Sequence, residues 1–309
     1  MASVSVKRRR KLNLAQRDSI WAYILISPWL IGFIIFTLSP MIASLVFSFA
    51  NYDIVNPMDF VGLSNWTEMF VRDPDFWHSL KVTLTYAVVA LPVGLALGLA
   101  LALLLNAKVP GLPIWRTLYY MPSVISGVAV SVLWQYVFNA RFGIANWILS
   151  WFGIKGPAWL SSTTWALPAL IIMSLWSVGG GMIIYLAGLQ GIPTAYYEAA
   201  TIDGATKWQQ FWRITLPLIT PVIFYNLVTG MIGTFQIFTP AYIMTNRGGP
   251  AKATLFYNLQ LYLNAYDYRR MGYASAMAWF LMFVVLGLTL LIFRSSAAWV
   301  YYEGELRGR

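Results

Sequence analysis

Runs free of charge alternate with short polar stretches along this chain. Residues 20–49 contain no Asp, Glu, Lys or Arg, and the same holds for 82–106, 117–139, 163–189, 216–245 and 271–293. At about 1.5 Å of rise per residue, roughly 20 residues cross a hydrocarbon core. Each run is therefore long enough to span a bilayer as a helix. The pattern predicts an all-α membrane protein with six transmembrane helices and both termini on one side. The first run exceeds the roughly 7–15 residues of a signal-peptide core, so it predicts an uncleaved helix, kinked at Pro28 and Pro40. Polar connections fall at 51–81, 140–162, 190–215 and 246–270, with a short turn holding Lys108, Pro110, Gly111, Pro113 and Arg116 after the second run. The only histidine, His78, lies in the first connection and is expected to be a loop residue rather than a ligand. In the second run Ala90, Gly94, Gly98 and Ala102 recur every fourth residue. Such a small-residue face lets another helix approach closely, within one subunit or across a dimer seam.

Composition agrees. The chain is 59% apolar and 17% aromatic, with only 10% charged residues, against about 25% charged in a soluble domain. The mean hydropathy is +0.64. Most of the surface is expected to meet lipid. The net charge of +10 does not point to nucleic acid, because Lys7, Arg8, Arg9, Arg10, Lys11 and Arg17 cluster beside the first span as a membrane anchor. A six-span topology puts 13 of the 21 Lys and Arg residues on the N-terminal side and eight opposite. Both termini are then expected in the cytoplasm. The organisation expected is a basic segment at 1–19, a transmembrane domain at 20–294 and a tail at 295–309. With no cysteine in the chain, disulfide and thiolate chemistry are excluded.

The spans lack Asp, Glu, Lys, Arg and His. That argues against a proton relay, a voltage sensor or a charged substrate held by a buried ion pair, since those functions need ionisable groups within the membrane. Sodium coupling through backbone carbonyls stays open. There is no Gly-x-x-x-x-Gly-Lys-Ser/Thr stretch to cradle a phosphate. Powered transport would have to draw its energy from another chain, and 190–217 is the sizeable internal polar segment to receive it. There Glu198, Asp203, Lys207 and Arg213 stand between two apolar runs. Thr194 is expected to cap a short helix through Ile202, Gly204 to end it with a positive φ, and a second helix to run from about Thr206 to Pro217. Ala199, Ala200, Gly204 and Ala205 form a small-residue surface bordered by Glu198 and Asp203. Two roles fit: a helix seated in a partner's groove, or a solvated connector.

The stretch Glu198-Ala199-Ala200 with Asp203-Gly204-Ala205, then Phe211, Ile214, Leu216-Pro217 and Pro221, resembles the EAA loop of permease subunits of binding-protein-dependent ABC importers. Further likeness to the carbohydrate-uptake class, the maltose and glycerol-phosphate permeases, lies in Phe60 to Trp66, Asp73-Pro74, Phe76-Trp77, Phe138-Asn139, Phe142-Gly143, Asn146, Thr245-Asn246, Gly248-Gly249-Pro250 and Gly272 to Ala276. It covers about 20–295. Arg247 departs from the pattern as an extra residue, and Gly179-Gly180-Gly181 stands where relatives carry a bulkier side chain.

The resemblance implies a type I ABC importer permease fold in a bacterial or archaeal plasma membrane. It implies a second, homologous permease, two ATPase subunits that bind ATP and Mg, and an extracytoplasmic sugar-binding protein. The chain itself would hold no cofactor or metal and catalyse nothing. Glu198, Ala199, Ala200, Asp203, Gly204 and Ala205 would be the coupling surface docked on an ATPase. Gln236 and Thr234 fall where the family places polar sugar contacts, although Gln236 also suits an interhelical hydrogen bond. A sugar path needs hydrogen-bonding groups and aromatic faces, for which Ser123, Ser126, Gly127, Trp176 and Gly180 are further candidates. The serines can instead bond back to their own helix, and the glycines serve either cavity or packing. The alternatives are a permease for a glycerol phosphate or polyol, an ATP-independent carrier, and a membrane scaffold.

Overall fold

The computed structural model describes residues 13–107 and 110–301. The basic residues at 7–11, Lys108 and the end of the tail lie outside the described residues. Asn13 caps the first helix, α1 (Leu14–Phe33), in a reciprocal arrangement with Gln16. The helix passes through Pro28 and widens into a π-helical turn at Ile34–Leu38 before α2 (Ser39–Phe47). Pro40 has no N–H to donate, and the wider turn, closed by Ser39 N–H to Ile34 O, absorbs the missing bond just ahead of it.

A two-residue antiparallel ladder, β1 (Ala50–Asn51) with β2 (Asp59–Phe60), pairs Ala50 with Phe60. After α3 (Ser64–Thr67) and a π turn at Glu68–Arg72, α4 runs over Pro74–Asn106. This span starts at Pro74 rather than 82, because the Asp73 carboxylate accepts from Asp75 N–H at 2.9 Å and Pro74 is preset for the first turn. His78 is therefore helical, not in a loop, with Nε2 2.8 Å from Lys252 O.

The expected third span is broken. Helices α5 (Leu112–Val124) and α6 (Gly127–Val137) meet at 100°. The chain turns extended at Ile125 and Ser126, beside the kind of Ser–Gly pair at which helices kink. A short helix α7 (Ile144–Trp151) follows. The fourth span consists of α8 (Ala166–Leu175) and α9 (Gly179–Gln190). The polar segment holds α10 (Thr194–Ile202) and α11 (Lys207–Gln210), and a π turn at Phe211–Thr215 leads into α12 (Leu216–Phe235). Then come α13 (Thr239–Met244), α14 (Tyr257–Tyr262) and α15 (Met271–Trp299). Among the described residues, five helical stretches are long and apolar enough to cross a membrane, six if the bent pair counts as one.

Helix α4 is the centre of the packing. Ala90, Gly98 and Ala102 are buried, and a Cβ on Gly98 would lie 3.4 Å from the Tyr185 ring on α9. The small-residue stripe thus serves contact within the chain, while Gly94 faces a cavity. At the end of the molecule opposite α10, ion pairs Arg270–Glu68 and Lys252–Asp75 tie 51–81 to 246–270, and a bond from Tyr273 OH to Asp73 ties 51–81 to α15. Tyr257 OH donates to Met277 O at 2.8 Å, and burial pushes its phenol well above its ordinary value.

Candidate functional site

Two regions carry the polar chemistry, and α9 and α12 connect them. The first is the segment between spans four and five. Helix α10 starts one residue earlier than expected: Pro193 is the cap, and Thr194 is already in the first turn with no side-chain cap bond. Its C-terminus is as expected. Gly204 has φ +78, Gly204 N–H donates to Thr201 O at 3.1 Å and Ala205 N–H to Ala200 O at 2.8 Å. This pair of bonds is a Schellman end, which requires the left-handed residue that glycine supplies. Thr206 then caps α11, with Gln209 returning the bond. The second helix does not stop at Pro217. It continues into α12, because the π turn just before Pro217, closed by Leu216 N–H to Phe211 O, absorbs the bond that Pro217 cannot make.

Two internal contacts hold α10 to the start of span five. Gln210 is buried and donates from Nε2 to Thr201 Oγ1 at 2.9 Å and to Ala205 O at 3.4 Å, while its Oε1 accepts from Lys207 Nζ at 3.2 Å. Tyr197 OH and Thr215 Oγ1 are 2.9 Å apart. A notch of about 360 Å³ lies between the two helices, lined by Ala200, Asp203, Gly204, Ala205, Gln209, Gln210, Arg213 and Ile214. Glu198 and Ala199 lie outside it on the exposed face. Sequence reasoning missed the apolar anchors here. Ile202 is 87% exposed and Trp208 69%, and the only signal for them was large apolar residues at polar-segment positions.

The second region lies within the spans, where three helices are interrupted. The breaks at Ile125 and Ser126, at Trp176 to Val178, and at Gln236 to Phe238 place Ile125, Ser177, Gln236, Ile237 and Phe238 on one cavity of about 560 Å³. Irregular backbone at membrane depth persists only where protein buries it or it faces a wet cavity. Of the predicted path residues, Ser123, Gly127, Thr234 and Gln236 line this cavity. Ser123 and Thr234 also bond back to Tyr120 O and Met231 O. Gln236 is not mid-helix: it ends α12, and its carbonyl accepts from Asn258 Nδ2 at 3.2 Å.

Trp176, Ser126 and Gly180 do not line the wall. Trp176 packs edge-on to Trp134, with centroids 6.1 Å apart, and Ser126 begins α6. The three glycines differ in role. A Cβ on Gly179 would lie 1.9 Å from Tyr119 O, so that position permits helix contact; one on Gly180 would only touch the Ser123 side chain at 3.6 Å. Gly181 borders a second cavity of about 380 Å³ with Tyr185 and Asn226. Both cavities share Tyr86, Ser174, Gly230 and Thr234. Polar groups thus continue along α9 and α12 towards the segment holding α10. Tyr86 and Ser174 escaped sequence reasoning because each looks like an ordinary helix residue until the spans are assembled.

The family model described as binding-protein-dependent transport system inner membrane component matches residues 81–300. A probable ABC transporter permease protein of Bacillus subtilis, YesP, is 45% identical over 299 residues, 96% of this chain and 96% of that protein. The trehalose/maltose transport system permease protein MalF of Thermococcus litoralis is 31% identical, covering 90% of this chain and 94% of that one. A solved bacterial ABC transporter involved in the import of the acidic polysaccharide alginate has a chain with TM-score 0.80 and 27% identity, covering 91% of this chain and 96% of its own.

Proposed function

We propose a function from the premise that the chain belongs to the family of binding-protein-dependent transport system inner membrane components: it is a multi-pass membrane permease subunit of an ABC importer for a carbohydrate. Relatives named for trehalose and maltose, for starch degradation products and for lactose support the substrate class. A solved relative in complex with an alginate pentasaccharide-bound periplasmic protein supports delivery by an external binding protein. None of the described residues lining the 560 Å³ cavity is charged. That wall suits the hydroxyls of a neutral sugar better than a glycerol phosphate, which needs cations to replace its water.

In this reading the chain works as a converter. ATP and Mg are held by two partner ATPase subunits, and α10, with Glu198, Ala199, Ala200, Asp203, Gly204 and Ala205, docks on one of them from the cytoplasm. Closure of the ATPases pushes α10. Because Gln210 and the Tyr197–Thr215 contact tie α10 to the head of α12, the push reaches the span whose far end carries Thr234 and Gln236. A second, homologous permease completes the path and the alternation of access. The observation that carries the reading is the exposed α10, closed by its Schellman end, between two spans. The cysteine-free chain offers a direct test. A photo-crosslinker on Ala199→Cys should join this chain to an ATPase subunit in the assembled complex. Labelling of lipid or of the binding protein alone refutes the docking.

A further inference from the structure

The connection between α6 and α8 carries a surface that neither region uses. Helix α7 is two-faced. Ala145 and Leu149 pack on the core, and Asn146 is locked between them, donating to Ala140 O at 3.1 Å and Pro157 O at 3.2 Å and accepting from Trp159 Nε1 at 2.6 Å. Gly156 is part of the lock, since a Cβ there would lie 2.0 Å from Asn146 Oδ1. The opposite face, at positions spaced three and four apart, is Ile144, Trp147, Ile148 and Trp151, all exposed, with Trp147 at 56% and Trp151 at 67%. Phe142 before the helix and Phe152 (73% exposed) and Ile154 after it extend the same apolar character. A segment this firmly held is not presenting those side chains by loosening.

We propose that α7 and the turn at 152–154 lie in the membrane–water interface of the leaflet away from α10, with the Ile144, Trp147, Ile148 and Trp151 face resting on lipid. Three observations select lipid over a protein partner. The helix follows on α6, the second half of the bent apolar pair α5–α6, whose Val128, Val132, Leu133 and Tyr136 are themselves exposed, so its apolar surface continues another on a segment apolar enough for the bilayer. The rings on the exposed face of α7, Trp147 and Trp151, are indoles, the side chains that collect at the interface because they join a large apolar body to one N–H. The charge fits as well: Arg141 and Lys155 flank the segment, and no Asp or Glu occurs between Lys81 and Glu198, which suits lipid phosphates. An interfacial helix of this kind sinks roughly 5–10 Å into the headgroup and acyl boundary. It would fix the tilt of α6, and so of the broken span that lines the larger cavity. The inference rests on membrane residence and does not depend on which substrate is carried.

The absence of cysteine permits a clean test. Ile148→Cys, and separately Trp151→Cys, would carry an environment-sensitive fluorophore in the assembled transporter in vesicles. Asp59→Cys on β2 serves as the water-facing control. The α7 labels should be quenched several-fold more by a lipid-borne quencher near the headgroup than the control, and several-fold less by aqueous iodide. Iodide quenching equal to the control overturns the proposal. Protection from both quenchers does so too, because it assigns the face to a protein partner. Agreement between the two positions separates the result from a local fold defect.

Discussion

Replacing Gly204 isolates what the end of α10 contributes. The residue sits at φ +78, and an added Cβ would meet nothing within 4 Å in this chain. The cost of substitution is therefore conformational. A left-handed backbone costs an L-residue about 1–2 kcal/mol, with alanine near the low end and β-branched valine near or above the high end. At 1.4 kcal/mol per tenfold, Gly204→Ala should lower the population of the native helix end about fivefold, and Gly204→Val about thirtyfold or more. Asparagine tolerates this region, so Gly204→Asn should retain most function. The assay is ATP hydrolysis stimulated by loaded binding protein, measured beside uptake in the same proteoliposomes. The expected order is Gly, Asn, Ala, Val, with the complex still assembled. Wild-type stimulation and uptake for Gly204→Val would show that the left-handed end of α10 plays no part in coupling. An order with alanine above asparagine would replace strain by steric contact with the partner.

Gln210→Leu removes the bonds to Thr201 Oγ1 and from Lys207 Nζ; both residues are exposed to water, so a cost of about 0.5–1.5 kcal/mol is expected, read as ATP hydrolysis retained with fewer sugars moved per ATP. Gly179→Ala, whose Cβ would collide with Tyr119 O, should cost about 1–3 kcal/mol of packing and lower the unfolding temperature of the complex, whereas Gly180→Ala should leave it near wild type. Gln236→Leu should raise the KM for uptake severalfold, from the loss of about 1 kcal/mol of hydrogen bonding, with basal ATP hydrolysis unchanged. Lys252→Ala breaks an exposed ion pair with Asp75, so its effect on thermal unfolding should stay below about 1 kcal/mol.

The charge-free runs made the membrane class and five of the six expected spans legible as single helical stretches, because excluding charge from lipid is a rule each residue obeys separately. The Schellman end at Gly204 was legible for a similar reason: it is local backbone chemistry. Interruptions were not. Residues 117–139 read as one apolar helix, yet Ile125 and Ser126 turn the chain through 100°, because hydropathy does not register the Ser126-Gly127 pair beside the break. Gln236 lies inside the charge-free run 216–245, and hydropathy carries no record of where that helix opens. Trp176 and Gly180 were sensible candidates by side-chain type, but packing against Trp134 and Ser123 took them off the wall. Serines 174 and 177 went unnoticed beside that tryptophan and are on it. The start of α4 at Pro74 was hidden by charge: Asp75, His78 and Lys81 suggested a loop, while the Asp73 cap and Pro74 had already begun the helix.

On the proposed function, this chain moves a sugar only when pushed by ATPases bound at α10. The most direct measurement is uptake of a radiolabelled oligosaccharide into proteoliposomes holding this chain alone, this chain with its partner permease, and the full complex with ATPases, ATP inside and binding protein outside. Uptake confined to the full complex, and lost without ATP, is the predicted result. Uptake by this chain alone would contradict the account.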